Sequence, residues 1–381
     1  MDAPVLDLPF DAEAMLPGLR RWVECESPTF DAAAVARMMD VAARDLALMG
    51  ARIETVPGRM GFGPCLRATF PHPRAAGAEP GILVMGHLDT VHPIGTLEHL
   101  PWRREDNRLY GPGVYDMKGG AFFALEAFRA VAARGTASRP LVFLVTPDEE
   151  IGSPLTRPII EDFSRRAAFA LVTEPAREGG RVVTSRKGVG RFECRVEGRP
   201  AHAGSRHAVG RSAIREAARQ VLAVEAMTDY ARGVTTTVGL ISGGTAMNTI
   251  PQHCRFAVDL RVETPADGAE FEARILALRA NDPEVRVTVT GGMNRPPYER
   301  TEAVARLFER ARALAAEIGF ALEDVPKTGG GSDGNFTAAL GVPTLDGLGI
   351  DGDGAHTLEE YGLLSSMAPR RALIRRLLET L

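Results

Sequence analysis

Residues 81–92 read Gly81-Ile82-Leu83-Val84-Met85-Gly86-His87-Leu88-Asp89-Thr90-Val91-His92, an apolar run that ends in polar side chains. Two more short apolar runs, at 141–145 and 168–172, follow a stretch of helical periodicity at Gly119–Arg134. Short, continuously apolar strands that are separated by helices indicate a sheet covered on both faces. The sequence therefore predicts an α/β fold whose mixed, largely parallel sheet is flanked by helices.

Length and composition limit the class of protein. The chain has 381 residues, 45% of them hydrophobic, and a net charge of −4. This length suggests two or three domains, and the absence of a basic excess in the sequence argues against nucleic acid or a membrane as a partner. No apolar run approaches the roughly 18 residues of a membrane span, and Met1-Asp2-Ala3-Pro4 lacks the basic start of a secretory leader. We expect a cytoplasmic enzyme with small-molecule or peptide substrates.

The pattern changes near Lys187. From there to residue 292 the predicted order is strand-helix-strand-strand-helix-strand, with helices at 211–227 and 270–280, which is the ferredoxin-like arrangement. A Gly- and Pro-rich segment at 291–297 ends this part, and helix and strand patterns then resume. We expect an inserted domain at 187–292, while residues 1–186 and 293–381 build the catalytic domain.

His87 and Asp89 follow the first apolar run, and the two-residue period of a strand puts both side chains on the same side. A histidine here can bind a metal ion while Asp89 orients its ring. A turn or a core histidine would give the same short pattern. The position after a parallel-type strand favours a site, because ligands gather where such strands end.

Carboxylates occupy comparable positions further along the chain. Asp116 lies in a Gly-rich turn that opens a helix, where it can bridge two metal ions or simply cap the helix. Glu149 and Glu150 follow the second apolar run; one can bind metal while the other acts as general base, although acidic clusters are also common in solvated loops. Glu174 follows the third run, and His356 lies beside a short Gly- and Asp-containing loop.

Apart from Asp89, these residues match the inventory of a two-metal hydrolase: His87, Asp116, Glu149, Glu150, Glu174 and His356. Two zinc ions about 3.5–4 Å apart need roughly five His and carboxylate ligands, together with a separate base for the shared water. The alternative interpretations would all have to hold at the strand ends of one sheet. We therefore predict a dizinc metallohydrolase.

The chain resembles the dizinc hydrolase family that contains glutamate carboxypeptidase, acetylornithine deacetylase, succinyl-diaminopimelate desuccinylase and aminoacylase. It is most similar to the bacterial glutamate carboxypeptidases, through Gly86-His87-Leu88-Asp89-Thr90-Val91, Tyr110-Gly111-Pro112-Gly113, Asp148-Glu149-Glu150-Ile151-Gly152-Ser153 and Thr328-Gly329-Gly330-Gly331-Ser332-Asp333. The resemblance implies two Zn²⁺ per subunit, with Co²⁺ or Mn²⁺ as substitutes. The implied ligand sets are His87 with Glu174, Glu150 with His356, and Asp116 as the bridge.

The resemblance also implies roles outside the ligand sets. Glu149 would be the base, and a cis peptide bond would follow Asp116. The motif Gly198-Arg199-Pro200-Ala201-His202-Ala203-Gly204 implies a homodimer in which His202 reaches the partner subunit's active site and polarises the scissile carbonyl. Asn248 and Arg261 would bind the substrate carboxylate, a task that suits a planar guanidinium. Taken alone, His202 is an ordinary turn histidine and Arg261 a surface residue.

Gly330-Gly331-Ser332-Asp333-Gly334 also fits the Gly-x-Ser-x-Gly pattern of serine hydrolases. No strong strand precedes it in the sequence, and His and Asp partners do not follow in the expected order. We expect Gly330, Gly331 and Ser332 to line the substrate pocket instead, since small residues let the backbone approach a ligand.

The predicted reaction is hydrolysis of an amide that releases a C-terminal amino acid, glutamate by the resemblance, from a small peptide or an N-acyl amino acid. One departure bears on the substrate: Met117 stands where several glutamate carboxypeptidases carry a second Asp, as in many deacylases of the family. A deacylase of acetylated or succinylated amino acids is therefore the first alternative. A non-catalytic dimeric binding protein is a remote one.

Overall fold

The computed structural model describes residues 11–72, 80–325 and 327–381. The helices are α1 (Ala12–Val23), α2 (Ala32–Leu48), α3 (Gly119–Arg134), α4 (Arg157–Ser164), α5 (Ala213–Glu225), α6 (Pro265–Leu276), α7 (Glu302–Ile318), α8 (Gly334–Ala339) and α9 (Leu364–Thr380). The strands are β1 (Arg52–Val56), β2 (Cys65–Thr69), β3 (Gly81–His87), β4 (Arg103–Glu105), β5 (Arg108–Tyr110), β6 (Leu141–Thr146), β7 (Ala167–Val172), β8 (Val182–Val183), β9 (Gly188–Glu197), β10 (Ala201–His202), β11 (Thr235–Gly243), β12 (Thr249–Ile250), β13 (His253–Val262), β14 (Arg286–Arg295), β15 (Asp324–Val325), β16 (Thr344–Leu345), β17 (Gly352–Asp353) and β18 (Tyr361–Leu363).

The chain forms two compact units. The first contains the described residues of Met1–Ser185, Arg300–Thr328 and Ser332–Leu381, and the second contains Arg186–Glu299 and Gly329–Gly331. That residues 187–292 fold as a domain of their own stays a prediction, which limited proteolysis would test. The segment Met1-Asp2-Ala3-Pro4, on which the prediction about a secretory leader depends, lies outside the described residues. In the described part of the chain, no helix is long and apolar enough to cross a bilayer.

The main sheet of the first unit has six strands in the order β1-β2-β6-β3-β7-β16. Strands β6, β3, β7 and β16 run parallel, whereas β2 and β1 are added in antiparallel fashion at one edge. Ile82 and Val84 pack into a large core with the helices α1, α2, α3, α7 and α9. Leu83 and Met85 face the opposite side, against residues of α4 and α8. Because both faces are covered, the strands read as continuous apolar runs, and the predicted fold class is confirmed.

The topology of this sheet decides where its polar strand ends lie. Strand β3 pairs in parallel with both β6 and β7, with His87 opposite Thr146 and Met85 opposite Val172. The carboxyl ends of the three strands therefore meet at one edge. This arrangement places His87 beside the segments that follow Thr146 and Val172.

A second, smaller sheet of the first unit has the order β17-β18-β5-β4. Its strands are two or three residues long, too short for a periodic pattern, so the sequence did not predict them. Tyr361 in β18 is paired with Tyr110 in β5. The turn that follows Tyr110 and the loop that precedes Tyr361 consequently leave the sheet side by side.

The second unit has an antiparallel four-stranded sheet in the order β11-β13-β9-β14, with α5 and α6 packed against it. The element order β9-α5-β11-β13-α6-β14 is the strand-helix repeat of a ferredoxin-like fold. Helix α6 begins at Pro265, five residues before the predicted start at 270. The signal was present in the sequence, because the Thr264 side chain caps the helix by accepting from Asp267 N and proline suits the first turn.

Candidate metal centre

His87 ends strand β3 with a side chain that is 1% exposed. Its Nδ1 donates to the carbonyl oxygen of Asp89 at 2.9 Å, so Nε2 faces the opposite way, 3.2 Å from Asp116 Oδ1 and 3.9 Å from Glu174 Oε1. The hydrogen bond at Nδ1 fixes the orientation of the ring and leaves Nε2 as the nitrogen that can bind a metal ion.

Asp89 contacts more of the centre than its sequence position indicated. Its carbonyl takes the closest hydrogen bond from His87, and its carboxylate, 3.4 Å from the same ring, accepts the backbone N–H groups of Glu149 and Glu150 at 3.2 and 3.3 Å. Thr29, which the sequence analysis did not single out, donates its hydroxyl to the same carboxylate at 2.8 Å. Asp89 therefore holds the ends of β3 and β6 in a fixed relation.

Asp116 lies between two imidazoles. Its Oδ1 is 3.2 Å from His87 Nε2, and its Oδ2 is 3.3 Å from His356 Nε2. The side chain does not cap the following helix, since the N-cap residue of α3 is Lys118. The peptide bond between Asp116 and Met117 is cis, as the resemblance implied. This placement leaves one carboxylate oxygen facing each imidazole.

Glu150 follows β6 in a short helical turn, Glu149–Ile151. Its Oε2 is 3.1 Å from His356 Nε2, whereas its buried Oε1 has no hydrogen-bond partner among the described residues. A buried carboxylate oxygen without a donor is costly, so a positive ligand is the natural occupant of the adjoining space.

Glu149 and Glu174 complete the cluster. With His87 they form a group whose ligand atoms all lie within 4.8 Å of one another, and His87, Asp116 and Glu150 form a second such group. The two groups share His87, and His356 adds its Nε2 beside Asp116 and Glu150. The predicted residues are thus brought together, while their division between two ions stays a prediction.

His356 enters the centre from the loop between β17 and β18. Its φ of 67° is in the left-handed region, which a residue with a β-carbon rarely adopts, and the neighbouring Gly354 has φ of 79°. Gly354 O accepts from both the backbone N–H and the hydroxyl of Thr357, at 3.1 and 2.7 Å. A local strain of this kind persists where surrounding contacts hold it, commonly at functional sites.

The electrostatics of the cluster favour positive charge. Burial by itself lowers the pKa of His87, but hydrogen bonds to Asp116 and Asp89 raise it well above the usual value. Hydrogen bonds to Asp116 and Glu150 raise the pKa of His356 to about 10. Burial raises the pKa of Glu150. Without a cation, the two imidazoles therefore carry protons that partly neutralise the carboxylates.

These residues fit divalent metal ions. Imidazole nitrogens and carboxylate oxygens are the ligands that zinc takes in hydrolytic sites. The carboxylate between two imidazoles and the unpaired Oε1 of Glu150 are the observations on which the fit depends.

Five predicted residues belong to the second unit: His202, Asn248, Arg261, Gly330 and Gly331. His202 Nδ1 accepts the backbone N–H groups of Gly204 and Ser205, both at 3.1 Å, so the neutral ring carries its proton on Nε2. Asn248 lies next to it, because its carbonyl accepts from Ala203 N at 2.8 Å.

Arg261 is held by residues of its own unit. Its guanidinium forms two hydrogen bonds with Asp259, at 2.6 and 2.9 Å, and a third with Gly329 O at 3.1 Å. Gly330 O accepts from Arg186 at 3.1 Å, and a β-carbon on Gly331 would lie 2.6 Å from the Arg295 side chain. The contacts of Arg261, Gly330 and Gly331 with a substrate stay predictions.

Ser332, in the first unit, is fully buried. Its hydroxyl donates to Asp346 Oδ2 at 2.5 Å and accepts from Gly334 N at 3.0 Å. A serine nucleophile needs a base that takes its proton, commonly an imidazole. The partner of Ser332 in this structure is a carboxylate, which argues against the serine-hydrolase interpretation. Its place in the substrate pocket stays a prediction.

An α/β sheet with imidazoles and carboxylates gathered at its strand ends is the architecture of a metal-dependent hydrolase. The model of peptidase family M20/M25/M40 matches residues 83–380. Similar proteins include carboxypeptidase G2 of a Pseudomonas species, 29% identical over 299 residues that cover 76% of this chain and 71% of that protein. Succinyl-diaminopimelate desuccinylase of Ralstonia nicotianae is 31% identical over 329 residues, covering 80% and 84%.

A solved structure has the same fold. The aminopeptidase PepT of Bacillus cereus superposes with a TM-score of 0.77 at 21% identity, covering 97% of this chain and 98% of that one. The chain belongs to peptidase family M20/M25/M40. It is a metallohydrolase that acts on amide bonds, which confirms the predicted family and enzyme class.

Proposed function

We propose that this metallohydrolase releases a C-terminal glutamate from N-acyl or peptidyl substrates. The observation that carries the reaction class is the Asp116 carboxylate between the His87 and His356 imidazoles. The preference for glutamate is supported by the motifs at 86–91, 110–113 and 148–153, which resemble those of bacterial glutamate carboxypeptidases.

The proposed ligands are His87 and Glu174 for one ion, Glu150 and His356 for the other, and Asp116 for both. Two Zn²⁺ per subunit fit this set, with Co²⁺ or Mn²⁺ as substitutes. When bound, the cations would lower the pKa of the attacking water and polarise the scissile carbonyl.

Glu149 is the proposed general base. Its backbone N–H is fixed by Asp89 at 3.2 Å, so the side chain starts from a defined position at the end of β6. It would take the proton of the attacking water and later deliver it to the leaving amine nitrogen.

His202 is the proposed donor to the developing oxyanion, in the active site of the partner subunit. Its Nδ1 already accepts two backbone N–H groups, which fixes the tautomer with the proton on Nε2. The Nε2–H group can therefore donate to the oxyanion. Arg261 and Asn248 are proposed to bind the carboxylate of the leaving amino acid. A guanidinium has five N–H donors, and Asp259 and Gly329 use three, so donors remain for a ligand.

A homodimer formed through the second unit is part of this proposal. The strand β11, at one edge of its sheet, exposes Leu240 and Ile241, which are 73% and 56% exposed. Exposed apolar side chains on an edge strand are typical of an interaction surface. Light scattering of the eluted protein would give twice the monomer mass, and Leu240→Glu would reduce it. We also propose a cytoplasmic location, which cell fractionation would test.

A substrate panel tests the proposed activity. The zinc-loaded protein would be assayed on folyl-glutamate, on dipeptides ending in glutamate or alanine, and on N-acetyl and N-succinyl amino acids. We expect the highest kcat/KM for substrates ending in glutamate, and loss of turnover after chelation. Metal analysis of the same preparation would count the ions.

A deacylase is the second candidate, because a desuccinylase is among the similar proteins and Met117 replaces an acidic residue found in several glutamate carboxypeptidases. Preference for the N-succinyl or N-acetyl substrates would establish it and overturn the glutamate assignment. Absence of both turnover and bound metal would instead support a binding protein.

A further inference from the structure

Glu360 is a buried carboxylate on which four donors converge. The side chain is fully buried in the first unit. Its Oε1 accepts the backbone N–H groups of Tyr115 and Asp116, both at 2.9 Å. Its Oε2 accepts from Gly113 N at 3.0 Å and lies 2.7 Å from His92 Nε2. An ionised carboxylate only accepts hydrogen bonds, so His92 is the donor in the last contact.

The three backbone donors all belong to the turn that carries Asp116. This turn leaves strand β5, and Glu360 immediately precedes β18, the partner of β5. Gly113 has φ of 74°, and a β-carbon there would lie 2.8 Å from the Thr90 side chain, so the turn has a conformation that needs glycine. The carboxylate of Glu360 thus supplies the acceptors for N–H groups that this unusual turn directs inward.

Glu360 also lies four residues after His356, on the same loop. Because Asp116 N donates to Glu360, this hydrogen bond joins the backbone of Asp116 to the loop that carries His356. Other contacts hold the turn from different sides: Tyr115 OH donates to Ala176 O at 2.6 Å, and Lys118 Nζ donates to Cys25 O at 2.7 Å. Tyr115 and Lys118 are neighbours of Asp116 in the turn, whereas the hydrogen bond to Glu360 is donated by Asp116 N itself.

We propose that Glu360 is a positioning residue, which fixes Asp116 between His87 and His356 so that both cation positions share one carboxylate. The inference rests on the metal centre of the proposed function. It predicts that loss of the Glu360 contacts weakens the binding of cations as a pair, because a displaced Asp116 would no longer lie between the two imidazoles that would each hold one cation. Changes next to metal ligands typically cost about 10–100-fold in affinity or activity.

The informative variant is Glu360→Gln, which keeps the size and shape of the side chain. Four donors meet the two oxygens of Glu360, but a glutamine amide offers one oxygen and an NH₂ group that is itself a donor. At least one backbone N–H of the Asp116 turn then faces another donor. The matched control is Glu359→Gln, which makes the same change of charge at the preceding residue, whose side chain is exposed.

His92→Ala distinguishes an effect of the backbone hydrogen bonds to Glu360 from an effect of the buried His92–Glu360 pair. It removes one of the four donors and leaves the three contacts to the Asp116 turn in place. If Glu360 acts through the turn, His92→Ala should weaken cation binding less than Glu360→Gln does.

The experiment is a titration of each metal-free protein with Co²⁺, followed by visible absorption and by equilibrium dialysis, with kcat, KM and the melting temperature measured on the same samples. We expect the wild type and Glu359→Gln to bind two Co²⁺ with the same spectrum. Glu360→Gln should bind one Co²⁺ at least about tenfold more weakly, show an altered spectrum, and lose kcat with little change of KM.

Two results would overturn the inference: a Glu360→Gln variant with wild-type affinities and spectrum but a lower melting temperature, which shows a structural role only, or a His92→Ala variant as defective as Glu360→Gln. Failure of the proposed function is a different result, since the wild type itself would then bind no pair of cations.

Discussion

Acidic residues of the second unit and those of the metal centre in the first unit have different partners. In the second unit, Asp267 and Glu270 both pair with Arg232, Glu284 pairs with Arg199 and Arg211, and Glu197 pairs with Arg286. In the first unit, the ion pairs of Asp116 and Glu150 are with imidazoles, and Glu150 Oε1 has no hydrogen-bond partner among the described residues.

The pKa shifts of Glu150 and of two acids in the second unit differ in direction, although burial at Asp116 is outweighed by hydrogen bonds from His356 and His87, which lower its pKa as well. The side-chain hydrogen bond from Arg232 lowers the pKa of Glu270, and the one from Arg199 lowers the pKa of Glu284. Burial raises the pKa of Glu150. These acids of the second unit are therefore compensated by arginines, whereas in the first unit the imidazoles of His87 and His356 compensate the cluster of carboxylates only in part. A buried cluster that costs stability indicates function.

Glu149→Gln should have the largest effect. If Glu149 is the base, kcat falls by about 10²–10⁴-fold, the contribution typical of a general base, while cation binding stays unchanged. The assay is steady-state hydrolysis, with cation content measured in parallel. Glu178→Gln, at a residue whose side chain is 96% exposed, is the control. Retained turnover in Glu149→Gln would remove this residue from the mechanism.

Addition of Zn²⁺ should stabilise the wild type but not a variant of the centre. A ligand at 100 times its dissociation constant stabilises the folded state by about 2.7 kcal/mol. Denaturant unfolding with and without Zn²⁺ measures the difference, and it should largely vanish in Asp116→Asn. Equal stabilisation of Asp116→Asn would place the ions elsewhere in the molecule.

Glu216→Gln tests a compensated acid of the second unit. Glu216 is 2% exposed, and its Oε1 accepts from Gln220 Nε2, Asn281 N and Asn281 Nδ2 at 2.8–3.1 Å. Hydrogen bonds to a charged group contribute about 1.5–3 kcal/mol, so we expect a loss of about 2 kcal/mol at pH 7. Denaturant unfolding of the two proteins measures it.

The pH dependence of that loss checks its origin. Burial works to raise the pKa of Glu216, but the bonds from Asn281 and Gln220 outweigh it and hold the pKa below its usual value. A lowered folded-state pKa stabilises the protein above the unfolded-state pKa, and this contribution disappears as the pH falls through the folded-state pKa. The difference between wild type and Glu216→Gln should therefore shrink in acid. A difference independent of pH would mean that ionisation is not its cause.

Glu150→Gln should have the smallest effect on stability, with the opposite sign. In the cation-free protein at pH 7, burial penalises the charged form of Glu150, so the neutral amide should be neutral or stabilising by up to about 1 kcal/mol. Because the folded-state pKa is raised, the penalty appears as the pH rises and is absent below the unfolded-state pKa. Thermal unfolding of both proteins after chelation measures the difference. If Glu150→Gln were clearly less stable than the wild type, the charge of Glu150 would be compensated within the chain, as the acids of the second unit are.

The sequence predicted the central strands of the main sheet because they are buried on both faces. The apolar runs at 81–85 and 141–145 are short and continuous, as expected of strands buried on both faces, and the polar residues after them mark the strand ends. The predicted helix Gly119–Arg134 has the bounds of α3. His87, Glu149, Glu150 and Glu174 could be named in advance for the same reason, since ligands collect at that edge. Asp116 and His356 lie on a turn and a loop that are not part of that edge.

The sequence by itself determined which residues could bind metal and which three strands, β3, β6 and β7, lie within the sheet, because apolar runs and ligand chemistry are local properties. Only the tertiary structure decided that the Asp116 turn lies beside the His356 loop, since the β5–β18 pair joins residues about 250 positions apart through strands too short to predict. In the sequence, Glu360 is an acidic residue in a loop. Its proposed positioning role follows from contacts with residues more than 240 positions away, which a local sequence pattern does not show.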